Sequence, residues 1–189
     1  TMNSVDRAAV PIDSALARRF DRVEMRPDLD VLIDHWGLDS KKLPVPDETN
    51  WESLTPFEVG VLLLDRINLT IASDLGTEFE LGHGLLTPLK VMTLNPDGTT
   101  VRIGENGTWK MLAKTWDEVL FPQLEDRYSG RPEQLLDLLR VDNPPKGEYA
   151  WRLRTARNGE SSTRALSPVR VSGLEQSVIG RSFRWLATF

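Results

Sequence analysis

Asn3, the pair Arg18-Arg19 and His83 are the side chains whose types and positions could do chemistry. An asparagine amide donates and accepts at once, which suits it to orienting a water molecule for attack. Asn3 stands at what reads as the end of a short strand. A guanidinium fixed at a helix end can neutralise charge building on a phosphoryl group in transfer, an effect of about 10³ to 10⁵ in rate in GTPases. Arg18 and Arg19 close a short helix read from Asp13 to Arg19. Successive helical residues point about 100° apart, so the two cannot face one phosphate equally. Asp6 and Arg7 follow Asn3 closely, and His83 sits between Gly82 and Gly84. Each residue also has an ordinary role open to it. Asn3 could be a turn or cap asparagine, the arginines a solvated edge paired with Asp21 or Glu24, Asp13 an N-cap, and His83 a plain loop histidine.

The elements that must position these residues can be read from periodicity and turn chemistry. A strand is expected from Asp21 to Met25, followed by a helix opened by Pro27 and Asp28 and running through Trp36, with Val31, Leu32 and Trp36 on its apolar stripe. Residues Lys41 to Glu52, with Pro44 and Pro46, read as a loop. The strongest helical signal runs from Pro56 to Leu75, where Phe57, Val61, Leu64, Asn68, Ile71 and Leu75 recur at spacings of three and four before Gly76 stops it. VMTLN and TTVRI flank Pro96-Asp97-Gly98 as a candidate hairpin. Helices are expected over Trp116 to Tyr128 and Pro132 to Arg140, and a second hairpin around Asn158-Gly159.

Composition bounds the function classes. The 189 residues carry 40% hydrophobic and 27% charged side chains, values of an ordinary globular chain with a core to bury. The net charge of -5 gives no global positive field for a nucleic-acid backbone, so any such contact must be local or made elsewhere. Without cysteine there is no disulfide, no thiolate nucleophile and no cysteine-ligated zinc, and His35 and His83 are the two imidazoles. A structural metal is not expected. No apolar run reaches the roughly 18 residues that span a bilayer, and no signal-peptide pattern opens the sequence, so the expected compartment is the cytoplasm, away from membranes. Of the six tryptophans, Trp36, Trp51, Trp109 and Trp116 fall where a core would want them, although a base-stacking role is the alternative. The tail is rich in arginine, with Arg152, Arg154, Arg157, Arg164, Arg170, Arg181 and Arg184. It reads either as an edge sheet protected by charge or as a local nucleic-acid or partner-binding face.

Thr1-Met2-Asn3, then Asp6-Arg7, then Asp13-Ser14-Ala15-Leu16-Ala17-Arg18-Arg19-Phe20 follow one another in an order that resembles the sensor 1 to arginine-finger stretch of AAA+ proteins. The nearest pattern is that of McrB-like restriction motors, T-M-N-T-A-D-R followed by D-x-A-L-R-R-R-F and a strand. Ser4-Val5 and Ala17 depart from it. Asp65-Arg66-Ile67-Asn68 and Leu81-Gly82-His83 are similar to that family's I-N-x-R-I helix and I-G-H-S-Y-F loop, with Gly84-Leu85-Leu86 breaking the second pattern. Leu120-Phe121-Pro122-Gln123-Leu124 is similar to its I-L-P-L-L-x-E-Y-F segment. The likeness spans residues 1 to 140 and is most specific in the first 25.

The resemblance implies an α+β, mainly helical chain. Residues 1–27 would be the end of an AAA+ α/β core, 28–144 a helical lid with a hairpin insertion near 91–104, and 145–189 a small β-rich C-terminal segment. It implies Asn3 as sensor 1 and Arg19, immediately before Phe20, as the arginine finger, with Arg18 beside it. Asp6, Arg7 and His83 would face the nucleotide, His83 at the start of a lid helix where sensor 2 groups lie. GTP or ATP with Mg²⁺ would be the fuel, a homo-oligomeric ring the assembly, a McrC-like nuclease the partner, and restriction or phage defence the setting, with DNA contacted through other regions. No G-x-x-x-x-G-K-S/T and no acid-tipped apolar strand before Asn3 occur in these residues, so the chain reads as starting in mid-module and hydrolysing nothing by itself. A generic AAA+ or MoxR-like remodeller, and a non-hydrolysing interaction module derived from a lid, are the alternatives.

Overall fold

The computed structural model describes residues 26–39, 43, 51–90, 92–94, 99–158 and 161–188. Among them the chain is mainly helical, with two separate two-stranded antiparallel sheets. No helix there is long and apolar enough to cross a membrane.

Helix α1 (Leu29–Trp36) begins where the Asp28 carboxylate accepts the Asp30 N–H and ends at Gly37, whose φ of 65° lets its N–H turn back to the Asp34 and Ile33 carbonyls. Leu32, Ile33 and Trp36 are buried. Val31, expected on the apolar stripe, is 43% exposed instead. The inward face is carried by Ile33, because the stripe follows the three-and-four spacing of Leu29, Leu32, Ile33 and Trp36.

The 19-residue helix α2 (Pro56–Asp74) is the centre of the molecule. Thr55 and Glu58 form a reciprocal capping box and Pro56 takes the first turn, where its missing N–H costs nothing. Leu63, Leu64, Ile67 and Ile71 are at most 1% exposed, each worth about 1.5 to 3 kcal/mol of burial. The expected stripe holds at Val61, Leu64, Asn68 and Ile71, but Val59, Gly60, Leu63 and Ile67 are buried as well. A helix covered on more than one side loses the clean amphipathic signature.

Strands β1 (Met92–Leu94) and β2 (Thr100–Arg102) pair as the first hairpin, Thr93 opposite Val101. Then comes α3 (Glu105–Thr115), a helix that is not among the elements expected from periodicity. It continues through a π turn at Trp116–Leu120 into α4 (Phe121–Arg127). The π turn has a cause: Pro122 supplies no N–H and its ring would press on the carbonyl four residues back, and a widened turn relieves both. Helix α5 (Pro132–Leu138) is followed by strands β3 (Leu153–Asn158) and β4 (Ser161–Leu166), paired from Leu153↔Leu166 to Asn158↔Ser161.

The tail expected to be β-rich also contains the 12-residue helix α6 (Gln176–Ala187). Val178, Ile179, Phe183, Leu186 and Ala187 form its buried face, which packs against α2 and α3. Trp116, Tyr149, Trp151 and Phe183 build an aromatic centre with neighbouring rings 5.0 to 5.6 Å apart. The tail therefore shares one hydrophobic core with residues 28–144. Trp36, Trp109 and Trp116 are core residues, and Trp51 is half-buried against Trp185.

Candidate functional site

Of the residues singled out for chemistry, His83 lies within the described structure; Asn3, Asp6, Arg7, Asp13, Arg18 and Arg19 lie outside the described residues. The site that can be built is the segment around His83, which crosses from the end of α2 towards β1.

Gly76 turns the chain out of α2 with a φ of 113°, a conformation that side chains resist. A short 3-10 turn (Thr77–Phe79) and another (His83–Leu86) follow. Such a segment has few backbone partners of its own, so other elements must hold it. Asn68 does so from α2: its Nδ2 donates to the Leu81 carbonyl at 2.9 Å and its Oδ1 accepts the Leu81 N–H at 2.7 Å. Both residues are buried, and an amide is the neutral side chain that can satisfy a backbone donor and acceptor together. Arg127 of α4 donates from Nε to the Phe79 carbonyl at 2.7 Å, and burial pushes its pKa down from the usual arginine range. Arg26 reaches Glu80 at 2.6 Å. Leu81, Leu86 and Leu89 are wholly buried, and Trp36 donates from Nε1 to the Leu89 carbonyl.

His83 is thereby held in a defined place. Its Nδ1 accepts the backbone N–H of Asp28 at 3.0 Å, which assigns the neutral imidazole proton to Nε2. Asp28 is the residue whose carboxylate caps α1, so the histidine ties the segment to the beginning of that helix. Gly82 and Gly84 are exposed, and a Cβ at either would meet nothing within 4 Å. Their small size leaves the backbone on both sides of His83 open to approach.

A second polar cluster lies in the interior. Arg66 donates from Nη1 to the carbonyls of Leu138 and Leu186 at 3.1 and 2.8 Å. Arg140 donates from Nη1 to those of Trp185 and Thr188, and its guanidinium lies 4.5 Å from the Trp185 ring centre. These carbonyls end α5 and α6, where the negative end of the helix dipole favours a cation. Burial, with the Arg140 charge nearby, lowers the Arg66 pKa to about 10. Tyr149 completes the cluster, its hydroxyl donating to the Leu139 carbonyl at 2.7 Å. The hydrogen bonds to Leu138, Leu139, Trp185, Leu186 and Thr188 all close helix ends, so these contacts are architectural.

Among the described residues no group of three or more histidines, aspartates or glutamates is placed to hold a metal. Two open surface depressions, one of about 380 Å³ at Gly130–Gln134 and one of about 330 Å³ between Glu105 and Arg184, do not include His83. The second is lined by residues already engaged with one another, Arg184 with Glu105 at 3.1 Å and the same guanidinium over Trp109.

What sequence reading missed at this site is Asp28 as the partner of His83, 55 residues away, and Arg127 as the clamp on Phe79, 48 residues away. No local signal marks either contact. Asn68 did carry a signal, a polar residue on an otherwise apolar stripe. No family model matches the chain, and no curated protein matches its sequence.

Proposed function

We propose that the chain is the sensor 1, arginine-finger and helical-lid part of an AAA+ nucleoside triphosphatase motor of the McrB-like kind, working as a homo-oligomeric ring with a nuclease partner. The observation that supports this reading is the Asn68–Leu81 pair. The segments that resemble the family's I-N-x-R-I helix and I-G-H-S-Y-F loop are bound to each other by two hydrogen bonds from one side chain. The two likenesses thus fall on one structural unit, and that unit sets His83 against the start of α1.

On this reading the described helices are the lid, and His83 is its nucleotide-facing group. Asn3 would orient the attacking water, and Arg19, with Arg18 beside it, would serve the nucleotide of the neighbouring subunit. Asp6 and Arg7 would face the nucleotide together with His83. These roles rest on the motif order alone. GTP or ATP with Mg²⁺ would be the fuel of the motor, and among the described residues no group of three or more histidines, aspartates or glutamates is placed to hold a metal. A cation held at a subunit edge acts across a head-to-tail interface, and such interfaces close into rings when the rotation permits.

The experiment is a mixing assay in the complete motor. Arg19→Ala alone should abolish turnover while leaving nucleotide binding nearly intact. Mixed with a subunit disabled in its phosphate-binding lysine, it should regain part of the activity through mixed interfaces. Inactivity at every ratio, with co-assembly demonstrated, defeats action in trans; full activity of Arg19→Ala alone defeats the finger. If the 189-residue chain hydrolyses GTP or ATP by itself, with contaminants excluded, the reading as part of a module fails.

A further inference from the structure

We propose that the β3–β4 ribbon is a contact element for the phosphate backbone of double-stranded nucleic acid, made through Arg152 and Arg154. Residues 149–172 contain five arginines and one glutamate, within a chain whose net charge is -5. The positive charge is therefore concentrated where the rest of the molecule repels polyanions.

Burial sorts the strand by alternation. Trp151 is buried and Leu153 half-buried against the core, whereas Arg152 and Arg154, which alternate with them, are exposed. The two arginines follow one face of the strand about 6.5 to 7 Å apart. The opposite strand presents exposed Ala165 across from Arg154, and the ladder extends to Arg152, whose carbonyl accepts the Ser167 N–H at 2.8 Å. Small residues beside the arginines let a bulky partner come close.

The ribbon is also anchored. Arg164, across from Thr155, binds both oxygens of Asp142 and reaches Glu133 at 3.1 Å. That arginine is spent on fixing the base of the hairpin, and its neighbours on the outer face are left for a ligand. Arg152 keeps its terminal nitrogens after donating from Nε to the Tyr149 carbonyl.

The chemistry selects the partner. A protein partner of ordinary affinity needs aromatic or aliphatic anchors at its centre; among the described residues the exposed large hydrophobics are Val31 and Leu69, and neither lies on the hairpin. Single strands are gripped by stacking bases on aromatic rings, and LRTARN and SSTRAL contain none. What the ribbon offers is guanidinium groups with serine and threonine in its sequence, the residue types that contact phosphate oxygens. A two-stranded antiparallel ribbon is also one of the two elements that the major groove of a duplex admits. Contacts of this kind position the protein and read no sequence.

The test is the salt dependence of binding to a fluorescent duplex of arbitrary sequence, with the whole chain. Wild type should bind at low salt, and the double variant Arg152→Ala/Arg154→Ala should bind about tenfold or more weakly. Its slope of log K against log salt should fall by about 2, one for each lost phosphate contact. Lys110→Glu, an exposed charge on α3, should leave affinity within about twofold. Arg152→Lys/Arg154→Lys should keep most of the affinity, and a melting temperature of the alanine variant within a few degrees of wild type excludes misfolding as the cause of its weaker binding. The proposal is overturned if the alanine variant binds like wild type, if Lys110→Glu weakens binding as much, or if single strands or inorganic polyphosphate bind as tightly as the duplex. The readout needs no nucleotide hydrolysis, so it stands or falls apart from the motor reading.

Discussion

Asn68 and Leu81 share two hydrogen bonds in opposite directions, so that one side chain closes both backbone groups of a buried residue. Asn68→Ala removes both partners at once and leaves the Leu81 N–H and C=O buried without replacements. The expected loss is about 3 kcal/mol, the upper part of the range for stranding buried polar groups. It should appear as a lower urea midpoint with an unchanged slope. A loss under about 1 kcal/mol would mean that water enters and takes over both bonds.

Arg140 is the described non-glycine residue with a positive φ, 54°, and it also uses its guanidinium to close α6. Arg140→Ala loses the side-chain bonds and retains the backbone strain. Arg140→Gly loses the same bonds but relieves the strain, worth about 1 kcal/mol. Glycine should therefore be the less damaging substitution by that amount in thermal or urea unfolding. The reverse order would show that the left-handed conformation at this position is not strained.

The chain has two tyrosines, and both are protected. Burial raises the pKa of Tyr149 above its ordinary 10.0. Burial, and then the hydrogen bond to Asp74, raises that of Tyr128. Between pH 10 and the raised values the unfolded chain has lost these protons and the folded chain has not, so stability must fall as pH rises. The phenolate ultraviolet band should stay weak above pH 10 and grow together with the loss of helical circular dichroism. A phenolate titration centred near pH 10 in the folded protein would contradict the burial of either ring.

His83→Leu removes the acceptor for the Asp28 N–H, a group exposed enough for water to replace it. The stability cost should stay below about 1 kcal/mol. If His83 faces the nucleotide in the complete motor, turnover should fall at least tenfold despite that small cost. Unchanged turnover would return His83 to the role of an ordinary loop histidine.

Much of the helical framework was legible because Pro56, Gly76 and the spacing from Phe57 to Leu75 speak locally. Both hairpins were legible in the sequence: Pro96-Asp97-Gly98 falls between the residues of β1 and β2, and Asn158-Gly159 falls at the end of β3 just before β4. Helix α3 escaped notice because Gly104, Asn106 and Gly107 crowd its start and no side chain caps it. Trp109, Leu112, Ala113 and Trp116 do carry the helical spacing. Helix α6 was hidden by the β pattern before it, although Val178, Ile179, Phe183, Leu186 and Ala187 also repeat at three and four. Asp28 against His83 could not be read at all, because a contact across 55 residues depends on how α1 packs and leaves no mark in either local sequence.

The π turn at Trp116–Leu120 acts as a phase setter for the helix that follows it. One residue beyond α periodicity rotates everything downstream by about 100°. With that offset Leu124 and Tyr128 enter the core and Arg127 meets the Phe79 carbonyl, while upstream Trp116 keeps its place among Trp151 and Phe183. Within the offset itself, Asp117 accepts the N–H groups of Val171 and Ser172 at 2.9 and 2.8 Å. Deleting a single residue here could leave a helix of the same hydrogen-bonded kind, yet α4 would present its neighbouring sector and release the segment that carries His83. The aromatic centre and the His83 segment are thus kept in register by one surplus amino acid.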